Sequence, residues 1–130
     1  MNDTPSPPTD PTPAPRAQAS LTDARRLAGD VLQAVEQSDV FAEDLLHRAF
    51  LRGTLDPRDR ALTMELVYGV LRHRASLDWR LSQCVDRPLD QLPLTVWTAL
   101  RLGAYQLLYL TRVPPSAAVN QAVELVKTLR

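Results

Sequence analysis

The residues best equipped for chemistry in this 130-residue chain are its arginines. Arg25 and Arg26 stand in tandem where an apolar stripe begins, just after Ser20 and Thr22, either of which can cap a helix. Backbone N–H groups at a helix start can bind a phosphate, and two guanidinium forks beside them would reinforce that contact. Arg16, a short way upstream, adds a third positive charge. Arg72, His73 and Arg74 form a second basic group at the end of another expected helix, where attraction to the helix dipole is already a sufficient explanation. A solvated helix face accounts for Arg25 and Arg26 as well as phosphate binding does, so residue type and spacing leave both readings open.

Other chemistries lack their parts. The four glycines, Gly29, Gly53, Gly69 and Gly103, are scattered and build no phosphate loop. His47 and His73 have no Cys, Asp or Glu at metal-ligand spacing, so neither a metal nor a cofactor is expected. No Ser-His-Asp or Cys-His arrangement can be assembled; no catalytic residue is assigned, and the chain alone is not expected to be an enzyme. The single cysteine, Cys84, excludes an internal disulfide and fits a reducing, cytoplasmic setting. It closes the apolar series Leu77, Leu81, Cys84, Val85, which predicts a buried thiol.

Fifteen basic and fifteen acidic residues cancel, so net charge gives no support for a polyanionic partner. Fourteen of those basic residues are arginine, the side chain that forks to phosphate and stacks on bases, although a GC-rich genome produces the same bias. No basic region followed by an apolar run opens the chain, so no signal peptide is expected.

The elements that must position these groups are helices. Residues 1–16 carry six of the eleven prolines and few apolar side chains, which predicts a disordered tail over residues 1–19 followed by one domain over 20–130. Ala24, Leu27, Ala28, Val31 and Val35 make a stripe for a first helix, and Ala42, Leu45, Leu46, Ala49 and Phe50 one for a second that ends at Gly53. Asp56-Pro57 signals a third, which carries Leu62, Leu66, Val67, Val70 and Leu71, with Gly69 as a close-packing site. A break near Ala75 lets Ser76 cap a fourth, running through Val85. The run Leu94–Leu110 is apolar nearly all round, and a helix of that kind has to be buried by its neighbours. It is interrupted by Thr98, Arg101 and Gln106 and falls short of a membrane span. Gly103 invites another helix close, and Arg101 requires a partner because an unpaired buried guanidinium is costly. After Val113-Pro114-Pro115, Ala118, Val119, Ala122, Val123 and Val126 form the seam of a last helix. Period-2 alternation is absent, so the fold class is all-α: about six helices around a buried central one.

Four motifs in order extend this reading: Ala24-Arg25-Arg26-Leu27-Ala28; Glu65-Leu66-Val67-Tyr68-Gly69-Val70-Leu71-Arg72 with Leu77-Asp78; Leu100-Arg101-Leu102-Gly103-Ala104-Tyr105-Gln106-Leu107-Leu108; and Val113-Pro114 with Ala118-Val119-Asn120-Gln121-Ala122-Val123-Glu124-Leu125-Val126-Lys127. Together they resemble the NusB-like domain, in wording closest to the amino-terminal domain of RsmB/Sun-type rRNA cytosine-5 methyltransferases. The resemblance implies a NusB-like helical bundle that binds RNA, with Arg25 and then Arg26 as the contacts carried over. Arg16 and Arg74 are added as candidate RNA-binding residues, and Arg101 and Asn120 as structural buried polar ones. It also implies a further helix and a separate catalytic domain beyond Arg130, so the chain is expected to be carboxy-terminally truncated. The family has an acid where Gln121 stands; without it, Glu124 or Glu65 is the expected partner of Arg101. The expected partners are RNA, in particular rRNA, together with the absent catalytic domain, a ribosomal protein or a second copy, and no membrane. A free-standing antitermination factor of NusB type and a protein–protein module are the alternatives.

Overall fold

The computed structural model of the chain describes residues 22–53, 55–110 and 113–129. The proposed tail, Arg16 and Ser20 lie outside them. Among the described residues six α-helices follow one another: α1 (Asp23–Gln37), α2 (Ala42–Arg52), α3 (Pro57–Arg72), α4 (Arg74–Ser82), α5 (Leu94–Tyr109) and α6 (Pro115–Leu129), with a 3-10 turn at Leu89–Gln91 before α5. No strand occurs among the described residues.

Local chemistry sets the starts. The Thr22 hydroxyl accepts from the Arg25 N–H at 3.4 Å, and Asp23 places a carboxylate at the positive end of α1. Asp56 caps α3 by accepting from the Asp59 N–H at 2.8 Å, with Pro57 at the first helical position. Pro93 and Pro114-Pro115 precede or open α5 and α6.

The core is one cluster. Ala28, Val31 and Leu32 of α1, Leu66, Val67 and Val70 of α3, and Leu77 of α4 meet Ala99, Leu102 and Tyr105 of α5, with Leu125 of α6 closing the side. Helix α5 touches α1, α3, α4 and α6, while α2 packs only on α1 and α3. Among the described residues the central helix therefore has four helical neighbours, so the six helices do not all surround it.

Several expectations change. The third helix breaks at His73, not near Ala75, because the chain turns there to bring Leu77 fully into the core. Helix α4 then ends at Ser82, short of Val85, and Cys84 lies in the following turn with its thiol exposed. Without the extra helical turn it cannot reach the buried stripe. Burial of α5 is also incomplete. Its inner positions from Thr98 to Gln106 are covered, but Leu107, Leu108 and Tyr109 are exposed at its carboxy-terminal end.

Gly69 and Gly103 divide in the same way. A Cβ on Gly69 would collide with the Tyr105 ring, so this glycine is what lets Tyr105 lie across α3. A Cβ on Gly103 would meet only Ala122 Cβ at 3.5 Å, an ordinary contact, so close approach of α6 does not require glycine there. Gly69→Ala is therefore expected to destabilise the fold by about 1–3 kcal/mol, as overpacking does. Gly103→Ala should be neutral or stabilising by up to about 1 kcal/mol, because alanine favours the helix. Urea midpoints of the two variants, read side by side, check both signs.

Candidate nucleic-acid interface

Arg101 and Arg25 both reach into buried or partly buried settings, and they are held in opposite ways. Arg101, on α5, is 6% exposed. Its Nε and Nη2 donate to Asp78 Oδ1 and Oδ2 of α4, each at 2.8 Å, in a two-pronged pair. Nη1 donates to Glu36 Oε1 of α1 at 3.0 Å. Trp97, one turn earlier on α5, lies under the guanidinium at 4.2 Å and donates from its indole N–H to Asp78 at 3.3 Å. Burial alone would lower the Arg101 pKa, but hydrogen bonds and charge from Asp78 and Glu36 raise it above its ordinary value. The expected partners Glu65 and Glu124 are not used: both are exposed, and Glu124 faces Lys127 at 3.7 Å.

Arg25 is half-buried at the start of α1. Its Nε donates to the side-chain oxygen of Gln106 on α5 at 2.7 Å, and Nη1 donates to the Thr22 hydroxyl at 3.1 Å. Gln106, 2% exposed, is itself fixed because its Nε2 donates to the Leu102 carbonyl at 3.3 Å. Among the described residues no carboxylate lies within 4 Å of Arg25. Burial pushes its pKa below the ordinary value, and the charge of Asp59 partly offsets this. The group remains a cation at neutral pH all the same.

Arg25 separates two cavities. Outward is a groove of about 600 Å³, which it lines with Arg58, Asp59, Leu62, Glu65 and Tyr109 among others. Inward is a cleft of about 10 Å³, shared with Gln106 and Gln121. Gln121 is 6% exposed, and its Oε1 has no hydrogen-bond partner.

The candidate residues do not merge into one basic patch. Arg26 is exposed and lies 3.7 Å from Asp23. Arg74 donates to Glu36 at 2.7 Å, so it belongs to the Arg101 network and is not a free cation. His73 stacks on Tyr109 at 4.3 Å. Asn120 is exposed, contrary to its assignment as buried. On α6 the inward face runs through Ala118, Gln121 and Leu125, three and four residues apart, which turns Asn120 to water. Sequence reasoning missed Arg58, Gln106, Glu36, Asp78 and Trp97 as site-building residues. The available signal was on α5, where Arg101 and Gln106 are polar interruptions of an apolar helix and each needs a partner.

Among the described residues no three His, Cys, Asp or Glu side chains gather to hold a metal ion, and no helix is long and apolar enough to cross a membrane. A profile described as the NusB family matches residues 22–130. The chain belongs to the NusB family. It is 40% identical over 107 residues to the probable ribosomal RNA small subunit methyltransferase B of Synechocystis, an alignment that spans 82% of this chain and 24% of that protein. The corresponding protein of Bacillus subtilis is 34% identical over 106 residues, with the same two coverages. Ribosomal RNA small subunit methyltransferase B of Escherichia coli is 39% identical over 101 residues, 77% of this chain and 23% of its own length. The chain thus spans about a quarter of the relatives it matches. A solved structure of the antitermination factors NusB and NusE in complex with dsRNA contains a similar fold, with a TM-score of 0.74 at 21% identity, covering 89% of this chain and 84% of that one. The all-α NusB-family fold expected from the four motifs is the one observed.

Removing Arg101 from this NusB-family bundle leaves Asp78 unpaired and half-buried, and Glu36 with Arg74 alone. Arg101→Ala is expected to cost about 3 kcal/mol, the low end for breaking a buried pair, since both carboxylates keep some contact with water. Arg74→Ala removes only a more exposed partner of Glu36 and should cost at most about 1 kcal/mol. Chemical denaturation of both variants separates the two roles.

Proposed function

We propose that this chain is the RNA-holding part of a small-subunit rRNA methyltransferase, with methyl transfer carried out by another part of the protein. The observation that carries the reading is the state of Arg25: a fixed guanidinium without a paired carboxylate, on the wall of a groove that also carries Arg58. Arg26 is exposed on the same first turn of α1. Phosphate is the ligand such a fork suits. Asp59 and Glu65 also line the groove, so contact is confined to the arginine-bearing rim and does not fill the whole length. The alignment to methyltransferase B proteins favours rRNA over other RNA, and it ranks this reading above a free-standing antitermination factor that works with a ribosomal protein. Arg16 of the proline-rich stretch would add a further phosphate contact.

A second reading, a protein-docking module, draws on the exposed apolar residues Leu107, Leu108, Val119 and Val123 of α5 and α6. The rest of a longer methyltransferase, or a second copy, would be its partner. The two readings are separable. With a fluorescein-labelled fragment of small-subunit rRNA, the chain should bind with an affinity that falls as salt rises, because bound phosphates release counterions. Arg25→Ala with Arg58→Ala should weaken binding and flatten the salt dependence by about one contact each. Unchanged binding by the double variant would remove this site, and no binding at any salt would leave the docking reading.

A further inference from the structure

The groove that Arg25 walls also holds a ring that charge does not account for. Tyr109, at the carboxy-terminal end of α5, lines it and is 39% exposed. His73 stacks on this ring with centroids 4.3 Å apart, and Tyr105 does so at 5.2 Å. Rings on opposite faces of Tyr109 would stand about 7 Å apart or more, two carbon contact distances. His73 and Tyr105 are 6.2 Å from one another, so both sit on one face of it. Against the other face no further ring stacks among the described residues. Tyr105 is itself pinned where it crosses α3 at Gly69. Tyr109 is therefore a backed plate, and little side-chain freedom remains to be lost when something binds to it.

The lining that α3 contributes is of mixed chemistry. Leu62 is apolar, Asp59 and Glu65 carry carboxylates, and Arg58 carries a guanidinium. Among the described residues none of Arg25, Arg58, Asp59 and Glu65 closes an ion pair with another, so donors and acceptors both stay open. Two carboxylates repel a phosphate from the interior of the groove. A nucleobase is uncharged, has flat apolar faces, and presents N–H groups and oxygens at its edge. Each of these features has a counterpart here, and about 600 Å³ is within the size range of small-molecule sites.

We propose that the groove receives one unpaired RNA base, stacked on Tyr109, with its amino-bearing edge read by Asp59 and Glu65 while Arg25 and Arg58 meet phosphate at the rim. The proposal rests on the RNA-holding reading given above and names what occupies the length of groove that phosphate does not. Sequence in RNA is read mainly on unpaired bases splayed out onto aromatic side chains. A carboxylate only accepts hydrogen bonds. It suits the amino group of cytosine and not the carbonyl oxygen that uracil carries in its place, so the groove selects against uracil.

The test uses the full 130-residue chain with fluorescein-labelled 12-nucleotide oligocytidylate and oligouridylate at neutral pH, followed by anisotropy between 50 and 200 mM KCl. Wild type is expected to bind oligocytidylate several-fold more tightly. Tyr109→Leu keeps apolar bulk and loses the aromatic face. It should bind both about ten-fold more weakly, the share of one stacked base, with an unchanged salt slope because stacking releases no counterions. Tyr109→Phe should bind as wild type does. Asp59→Asn with Glu65→Gln should bind both oligonucleotides more tightly, as repulsion falls, yet lose the preference for cytosine. Arg25→Ala with Arg58→Ala should lose affinity and salt slope together and keep that preference. Urea midpoints establish that each variant is folded. Wild-type affinity in a folded Tyr109→Leu, beside a weakened arginine pair, overturns the base platform and leaves the RNA-holding reading standing. Equal affinity of wild type for the two oligonucleotides overturns the reading of the base edge, and the proposal with it. An arginine pair that binds as wild type does removes the rim contacts and the RNA-holding site on which the pocket rests. Should Tyr109→Leu unfold, the cytosine preference of wild type and its loss in the Asp59→Asn, Glu65→Gln pair carry the test alone.

Discussion

The bundle is organised around a charge it cannot leave alone. Arg101 enters the interior from the middle of α5, and its desolvation is offset only if carboxylates meet it with good geometry. Asp78 comes from α4 and Glu36 from the far part of α1, so one guanidinium ties three helices together. Trp97 covers the open face. Hydrophobic burial is non-directional and would tolerate several rotations of α5 against its neighbours. The two-pronged bond to Asp78 is directional and rejects most of them.

That fixed rotation has a consequence on another part of the same helix. Gln106 is five residues beyond Arg101, more than one full turn, and it meets Arg25 at the start of α1. Helix α1 is therefore gripped by α5 at two places, through Glu36 in its last two turns and Arg25 in its first. One grip is ionic and neutralised; the other is neutral and leaves a cation at the surface. Arg74, which opens α4, joins the first through Glu36, so it adds little free positive charge.

Much of the architecture was legible beforehand. Helix starts at Thr22 and at Asp56-Pro57 follow from side chains that satisfy backbone N–H groups within three residues, a local matter that spacing reveals. The apolar stripes of α1 and α3 were readable for the same reason, but the seam expected on α6 was wrong at Val119 and Val123, which are exposed while Gln121 and Leu125 are buried. The four ordered motifs were enough to point to the NusB family. Less legible were places where a local pattern was overruled. Cys84 continues an apolar series yet stands in water, because α4 stops one turn sooner than the series does. Asn120 and Gln121 are neighbours of similar character, and one residue of register decides which is buried.

By itself the sequence determined the helices, their order and the need of Arg101 for a partner, because hydrophobic period and capping act over a few residues. Only the tertiary structure decided that the partner would be Asp78 with Glu36, and that Arg25 would receive Gln106 instead of an acid. Pairs separated by 23, 65 and 81 positions leave no trace in local spacing. They come into reach only once the helices have packed, and distance in space, not in sequence, sets whether a charge is cancelled or kept.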